Sequence, residues 1–358
     1  MKVVIVGGGV IGLLSALVLA QAGCQVTILE KNSGAIESSW AGGGIVSPMY
    51  PWRYPPAVTA LAQLAQAEYP LLAQQLFAMT GINIELNACG MLMLEAEDQR
   101  DALVWGQQYQ QQLLPLSAKD ISQLSPLLAN FKTGIWVPHI ANVRNPLLLS
   151  ALMQAVTQLG VCYRNHTNIV SWHKINNRIA AIESSTGEKY TADAFVITAG
   201  AWTGQILNLL AITMPVNPMK GQMILYKLPE QKLKQIVLHQ GHYLIPRQDG
   251  HLLCGSTLEN TGFEKQTTDE ALALLQKTAN RIMPLLFQYQ PIKQWAGLRP
   301  ASPNGIPYIG RVPQFSNLWV NAGHFRNGLV LAPTSAKLLA DLMLCRTPCV
   351  NPEPYQII

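Results

Sequence analysis

Gly7, Gly9 and Gly12 stand at Gly-X-Gly-X-X-Gly spacing directly after the apolar run Lys2–Val6. Positions without side chains at this spacing suit a pyrophosphate approached by backbone N–H groups. Gly7 permits the tight turn, Gly9 lets the backbone come close, and Gly12 lets a helix pack tightly on a strand. Val10 and Ile11 open an apolar helical stretch reaching Ala22, whose positive end would face the phosphate charge, and Gly23 is its natural stop. Residues 25–30 read as the next strand, ending on Glu30 with Lys31 beside it. A carboxylate there accepts hydrogen bonds from ribose hydroxyls and repels a 2′-phosphate. A strand, a helix, a second strand and a terminal acid in register make a dinucleotide-binding βαβ unit. A glycine-rich turn without a ligand is the plain alternative.

Two arginines fall in glycine-containing segments that read as turns. Arg299 lies between Leu298 and Pro300 after Gly297, in what reads as a turn bounded by Gly and Pro, and Arg326 lies between Phe325 and Asn327. A guanidinium is the best fixed partner for a carboxylate because its fork binds both oxygens. A solvated surface arginine and a loop brace are the bland readings of the two. Few Asp or Glu residues fall in these segments, which argues against paired-carboxylate catalysis.

The elements around these residues narrow the cofactor. Residues 190–202 read as an apolar strand ending in the small-residue turn Ala199, Gly200, with Trp202 just after it. Residues 317–328 repeat the plan: a strand runs into a turn of Gly323, His324, Phe325, Arg326, Asn327 and Gly328, and then into a helix from Leu329 and Val330. The positive end of that helix can face a flavin edge that gains charge on reduction. An NAD enzyme does not need its C-terminus to return to the first nucleotide site, whereas a flavoprotein built from discontinuous segments does. The flavin can take a hydride without any protein nucleophile, so the protein must bind, orient and exclude water.

Composition agrees with this reading. The chain has 358 residues, enough for about two domains, with 49% hydrophobic and 13% charged residues. That balance suits buried parallel strands and excludes a disordered protein. The net charge of +5 is spread thinly, without Lys/Arg runs, so nucleic acid is not an expected partner. Cys24, Cys89, Cys162, Cys254, Cys345 and Cys349 are scattered, with no metal spacing, which suits a reducing compartment and free thiols. The apolar stretch 10–22 is shorter than the about 20 residues that cross a bilayer, so the expectation is a cytoplasmic protein without membrane insertion.

Taken in order, these segments resemble the D-amino-acid-oxidase superfamily of FAD-dependent oxidoreductases, and within it the glycine oxidase group of thiamine biosynthesis. The residues that carry the resemblance are Gly7 to Gly12 with Glu30; Ser38, Ser39, Trp40, Ala41, Gly42, Gly43 and Gly44; Ala199 to Trp202; Gly297 to Pro300; and Gly323 to Gly328. The resemblance implies an α/β fold: an FAD-binding Rossmann-like domain of the glutathione-reductase type with an α+β substrate domain built on an antiparallel sheet. The first domain would comprise residues 1–81, 144–213 and 298–358, and the second 82–143 and 214–297. Residues 38–48 would form a loop past the flavin, and Ile169 would lie against the adenine half.

The resemblance also assigns roles at the substrate end. Arg299 would hold the substrate carboxylate, and Arg326 would be a second contact. Tyr243 would offer its hydroxyl, and Leu258 would stand where the group has a methionine. His324 would touch the flavin or bond to backbone rather than act as a base. Residues 49–54, rich in aromatics and proline, depart from the pattern and either cap the pocket or pack in the core. Monomeric sarcosine oxidases hold the flavin through a cysteine, but residues 297–310 contain none, so noncovalent FAD is implied. The implied reaction is oxidation of a small amino acid, with glycine favoured over sarcosine and small D-amino acids, and O2 as acceptor giving peroxide. A dehydrogenase serving a quinone or carrier and a non-catalytic flavoprotein are the alternatives, no metal is implied, and a homo-oligomer would be unsurprising.

Overall fold

The run Lys2–Val6 (β1) is buried in all but its first residue, as a parallel strand covered on both faces should be. The computed structural model, which describes residues 1–229 and 233–357, sets β1 inside a six-stranded sheet. Across it the strands run Tyr308–Arg311, Leu318–Ala322, Ala194–Ile197, β1, Gln25–Leu29 and Cys162–Arg164. All are parallel except the antiparallel edge strand Tyr308–Arg311.

The helix Val10–Gln21 (α1) is apolar nearly all round and is accordingly a core helix. It packs with Asn145–Gln158, Gly328–Met343 and the long Pro56–Thr80 in a helical layer on one face of the sheet. Gly23, at φ +83°, ends it: its N–H donates to the Ala20 carbonyl and Cys24 N–H to that of Leu19. The other face is covered by a three-stranded sheet, Ile169–Ile175, Arg178–Ser184 and Lys189–Tyr190. Its Trp172, Ile179 and Ile182 pack on Val4, Val6 and Phe195.

A second sheet has eight strands, in the order Lys293–Ala301, Asn217–Lys227, His251–Gly255, His242–Pro246, Ile236–His239, Met91–Leu94, Thr133–Val137 and Leu114–Ser117. The expected antiparallel sheet holds except at one seam, where Ile236–His239 runs parallel to Met91–Leu94. These strands come from distant chain segments, so no hairpin forces them antiparallel. Helix Asp269–Ile282 covers the back through Leu275, Ala279 and Ile282.

Two local expectations change. Residues 38–48 do not form an open loop from the start, because Ser38–Ala41 makes one helical turn before the glycines begin at Gly42. Arg299 lies on the strand Lys293–Ala301, opposite Met219, and not in a turn. Pro300 is tolerated there because this is the edge strand of the sheet. The domain boundary expected between 297 and 298 falls inside that strand.

Candidate active site

The glycines after β1 are set by contacts that a side chain would destroy. Gly7 has φ +111°, and a Cβ there would lie 2.5 Å from the Thr198 carbonyl oxygen. Thr198 Oγ1 donates to the Gly7 carbonyl at 2.7 Å, tying this turn to the strand Ala194–Ile197. Ser39 closes over Gly9: its hydroxyl accepts the Val10 N–H at 3.0 Å, and a Cβ on Gly9 would come within 2.9 Å of it. Gly12 lies behind the turn, where a Cβ would be 2.0 Å from the Gly7 carbonyl oxygen.

Glu30 is buried at the end of its strand and accepts N–H bonds from Gly8 at 2.8 Å and Asn32 at 2.9 Å. Burial raises its pKa, and these two bonds work against that shift. Beside it the Lys31 ammonium sits 3.0 Å from the centroid of the Trp202 ring, a cation–π contact, and 3.6 Å from Glu37. Burial lowers the Lys31 pKa.

One cavity joins these residues to the second sheet. At the nucleotide end it is lined by Gly7, Gly9, Val10, Ile11, Glu30, Lys31 and Ile169, with Ser38, Ser39, Gly42, Gly43 and Gly44 along its wall. Ala199, Gly200 and Trp202 line it, as do Gly323, His324, Phe325, Arg326, Gly328 and Leu329. Tyr243 and Arg299 complete it from the second sheet. Gly12, Asn327 and Val330 are buried but do not face the cavity.

Leu258 is not brought to the cavity either; it is 46% exposed. Its neighbours explain this. Thr257 and Glu259 both turn inward, the Thr257 hydroxyl donating to the Glu259 carboxylate, which in turn lies 2.9 Å from the buried Lys220 ammonium. Side chains alternate along an extended backbone, so Leu258 between them must face out.

That same network backs Arg299. Its Nη2 donates to Ser256 Oγ at 2.6 Å and its Nη1 to the Thr257 carbonyl at 3.3 Å, while Thr257 Oγ1 accepts the Gln222 N–H at 2.8 Å. Gly221 makes room: a Cβ there would lie 2.1 Å from Arg299 Nη1. These hydrogen bonds go to neutral oxygens, which leaves the guanidinium charge facing the cavity. Tyr243 is buried, with its hydroxyl 3.7 Å from Met223 Sδ, and its ring packs close to Gly43 and Gly255. Arg326 is exposed at the cavity, its guanidinium 5.4 Å from the Phe325 ring centroid.

His324 bonds neither to backbone nor to an acid; its Nε2 lies 3.1 Å from Ser335 Oγ on the last helix. Complete burial pushes its pKa down to about 3, so it is neutral throughout the physiological range. The unfolded chain, with His near 6.5, binds the extra proton between those two values. His324 therefore destabilises the fold progressively as pH falls from 6.5 towards 3. Replacing it with Gln should flatten the loss of urea midpoint between pH 7 and pH 5; an unchanged slope would remove His324 from that account.

The stretch 49–54 divides between the two expected roles. Met49 lines the cavity, whereas Tyr50 packs in the core of the second sheet and Trp52 and Arg53 both donate to Asp98. Several lining residues carried no signal in the sequence: Asn145, Gly221, Met223 and Ser256. Each is an ordinary residue in its local pattern and reaches the cavity only through sheet pairing or a helix start. Among the described residues no cluster of His, Cys, Asp and Glu could hold a metal, and no helix is long and apolar enough to cross a membrane.

Comparison with known proteins follows the same outline. A family model described as FAD dependent oxidoreductase matches residues 2–342. Over 356 residues the chain is 47% identical to a glycine oxidase of Pseudomonas aeruginosa, covering 99% of this chain and 98% of that one. It is 30% identical over 349 residues to the bifunctional protein ThiO/ThiG of Trichormus variabilis, covering 96% of this chain and 52% of that one. Among solved structures, glycine oxidase from Geobacillus kaustophilus superposes with a TM-score of 0.94 at 27% identity, covering 100% of this chain and 98% of that one.

Proposed function

The chain belongs to the family of FAD-dependent oxidoreductases, and from that premise we propose that it oxidises glycine, with O2 as the electron acceptor and peroxide as a product. FAD-dependent oxidation of an amino acid is the class of reaction; glycine, among sarcosine and small D-amino acids, is the substrate favoured by the likeness to glycine oxidases. The observation that carries the reading is Arg299, whose guanidinium faces the cavity and bonds neutral oxygens of Ser256 and Thr257.

The residues present fit FAD. Gly7 and Gly9 line the cavity where a Cβ would strike the Thr198 carbonyl or the Ser39 hydroxyl, which leaves bare backbone for a pyrophosphate, and the acid Glu30 lines the same end, suited to ribose hydroxyls. Residues 1–81, 144–213 and 298–358 then form the unit that holds it, and residues 82–143 and 214–297 the unit that holds the substrate, with the strand Lys293–Ala301 crossing from one to the other and carrying Arg299 on the second sheet. When bound, FAD supplies the two-electron acceptor for a hydride from the substrate α-carbon.

The protein's own part is binding and orientation. Arg299 holds the substrate carboxylate by a two-oxygen contact, with Tyr243 and Arg326 as further partners. Met49 and Met223 give the pocket apolar wall that keeps water from the reacting carbon. Among the described residues the acids lining the cavity are Glu30 and Glu37, both at the nucleotide end and both already bonded. Among the described residues no carboxylate base lines the cavity beside Arg299, which suits removal of hydride rather than of a proton. The positive end of helix Gly328–Met343, facing the cavity through Gly328 and Leu329, favours negative charge there.

The imine product hydrolyses or feeds thiazole synthesis, the latter supported by the likeness to ThiO/ThiG. The six free cysteines suit a reducing, cytoplasmic setting, FAD is held noncovalently, and assembly into a homo-oligomer fits the same reading. The test is peroxide formation by the purified holoprotein with glycine, sarcosine, D-alanine, D-proline and L-alanine in air. The highest kcat/KM is expected for glycine or sarcosine. Anaerobic flavin bleaching without peroxide would shift the acceptor to a carrier or quinone. A flavin that stays oxidised with every one of them would sink the substrate assignment.

A further inference from the structure

Arg247 follows Pro246 at the end of the strand that carries Tyr243, and nothing in its sequence neighbourhood marks it. Its side chain is buried, yet it does not line the cavity. Its guanidinium instead reaches the underside of the glycine loop. Nη2 donates to the Gly43 carbonyl at 2.8 Å, and Nη1 donates to the Val143 carbonyl and to Asn142 Oδ1, each at 2.8 Å.

The loop fits this support closely. Gly44 has φ +82°, and a Cβ there would lie 2.1 Å from the Val143 carbonyl oxygen and 3.2 Å from Arg247 Nη2. Val143 N–H donates back to the Gly44 carbonyl at 2.8 Å. One turn upstream, Asn145 Nδ2 donates to the Ser39 carbonyl at 2.7 Å, so the loop is held at both ends. On its other side Gly43 abuts the rings and branches of Tyr243 and Ile245. Buried carbonyls require donors, and a planar fork is the side chain that serves several converging acceptors at once; a lysine ammonium is a point donor.

We infer that Arg247 is a positioning residue that seats the 42–44 loop against the cofactor and, through its own strand, keeps that loop in register with Tyr243. Cofactor seat and substrate pocket are thereby set by one buried side chain. The inference rests on the cavity being the FAD site but not on which amino acid is oxidised.

Arg247→Met and Arg247→Lys test it, with Arg144→Gln as the control. Arg144 is a neighbouring cation paired outward with Glu85 and Asp249. FAD is titrated into each apoprotein by quenching of flavin fluorescence, and the visible flavin spectrum, kcat and KM are measured on the FAD-saturated proteins. Loss of hydrogen bonds to a charged donor should weaken FAD binding by about tenfold to a hundredfold in Arg247→Met. The flavin bands should shift, and kcat should fall by a larger factor than KM changes. Arg247→Lys should restore part of the affinity, and Arg144→Gln should bind FAD as the unmodified protein does. A folded Arg247→Met with FAD affinity within twofold and an unchanged spectrum overturns the inference. If Arg247→Met does not fold, Arg247→Lys decides: full affinity and an unchanged spectrum in that variant overturn it equally. Because FAD affinity is read without substrate, failure here is distinct from failure of the glycine assignment.

Discussion

Arg299→Ala should abolish turnover while FAD stays bound. The guanidinium is a fixed cation of the cavity wall on the second sheet, and its supports, Ser256 Oγ and the Thr257 carbonyl, hold it without neutralising it. Removing one partner of a charged pair in a desolvated site costs on the order of 4 kcal/mol, which is about a thousandfold in kcat/KM. FAD should remain because Arg299 stands on an edge strand of the second sheet, remote in sequence from the Gly7–Gly12 turn and bonded to none of it.

Gly221→Ala sharpens the same expectation. A new methyl would meet the Arg299 guanidinium at 2.1–2.4 Å, but that group is the far end of a flexible side chain. The protein should fold and stay yellow, with Arg299 displaced and KM raised although the charge is still present. Steady-state kinetics together with bound flavin per chain read both variants. Turnover retained in Arg299→Ala would remove the carboxylate clamp from the mechanism.

Gly12→Val should yield a colourless protein. Here the obstruction is backbone: a Cβ would lie 2.0 Å from the Gly7 carbonyl oxygen and 2.8 Å from Thr198 Oγ1, which itself donates to that carbonyl. The Gly7 carbonyl cannot swing aside, so α1 must move off β1. The N-terminus of α1 would then no longer meet the turn at Gly7 and Gly9, and the pyrophosphate cradle would open. Overpacking of this kind costs about 1–3 kcal/mol of stability before any loss of cofactor. Bound flavin per chain after purification and the Tm of the apoprotein measure the two effects. A stoichiometrically yellow Gly12→Val would show that helix and strand do not need this close approach.

The nucleotide end was legible because its signals are short-range. A strand, a glycine spacing, a core helix and a terminal acid all fall within the first thirty residues, and each follows from local periodicity or from the room a missing Cβ leaves. Arg299 and Tyr243, expected at the pocket, do line the cavity, but their setting was not legible. The Gly and Pro around Arg299 suggested a turn, yet pairing of residues 217–225 with 293–301 makes it a strand, with proline at the free edge. Leu258 was misplaced for a related reason. Its direction depends on Lys220 and Gln222, which draw in the residues on either side of it.

By itself, then, the sequence determined the βαβ unit, the discontinuous return of the C-terminal strand and helix to it, and the residue types for holding a carboxylate. These are properties of local pattern and side-chain chemistry. Tertiary structure alone decided that Gly221 clears space for Arg299, and that Asn145 and Arg247 grip the glycine loop across 106 and 204 residues of chain. It also decided that His324, at the cavity wall, is buried, neutral and bonded to Ser335. The physical reason is the same in each case. Hydrogen bonds and steric clearances act over a few ångströms in space, and only the pairing of strands and the docking of helices brings such distant residues within that range.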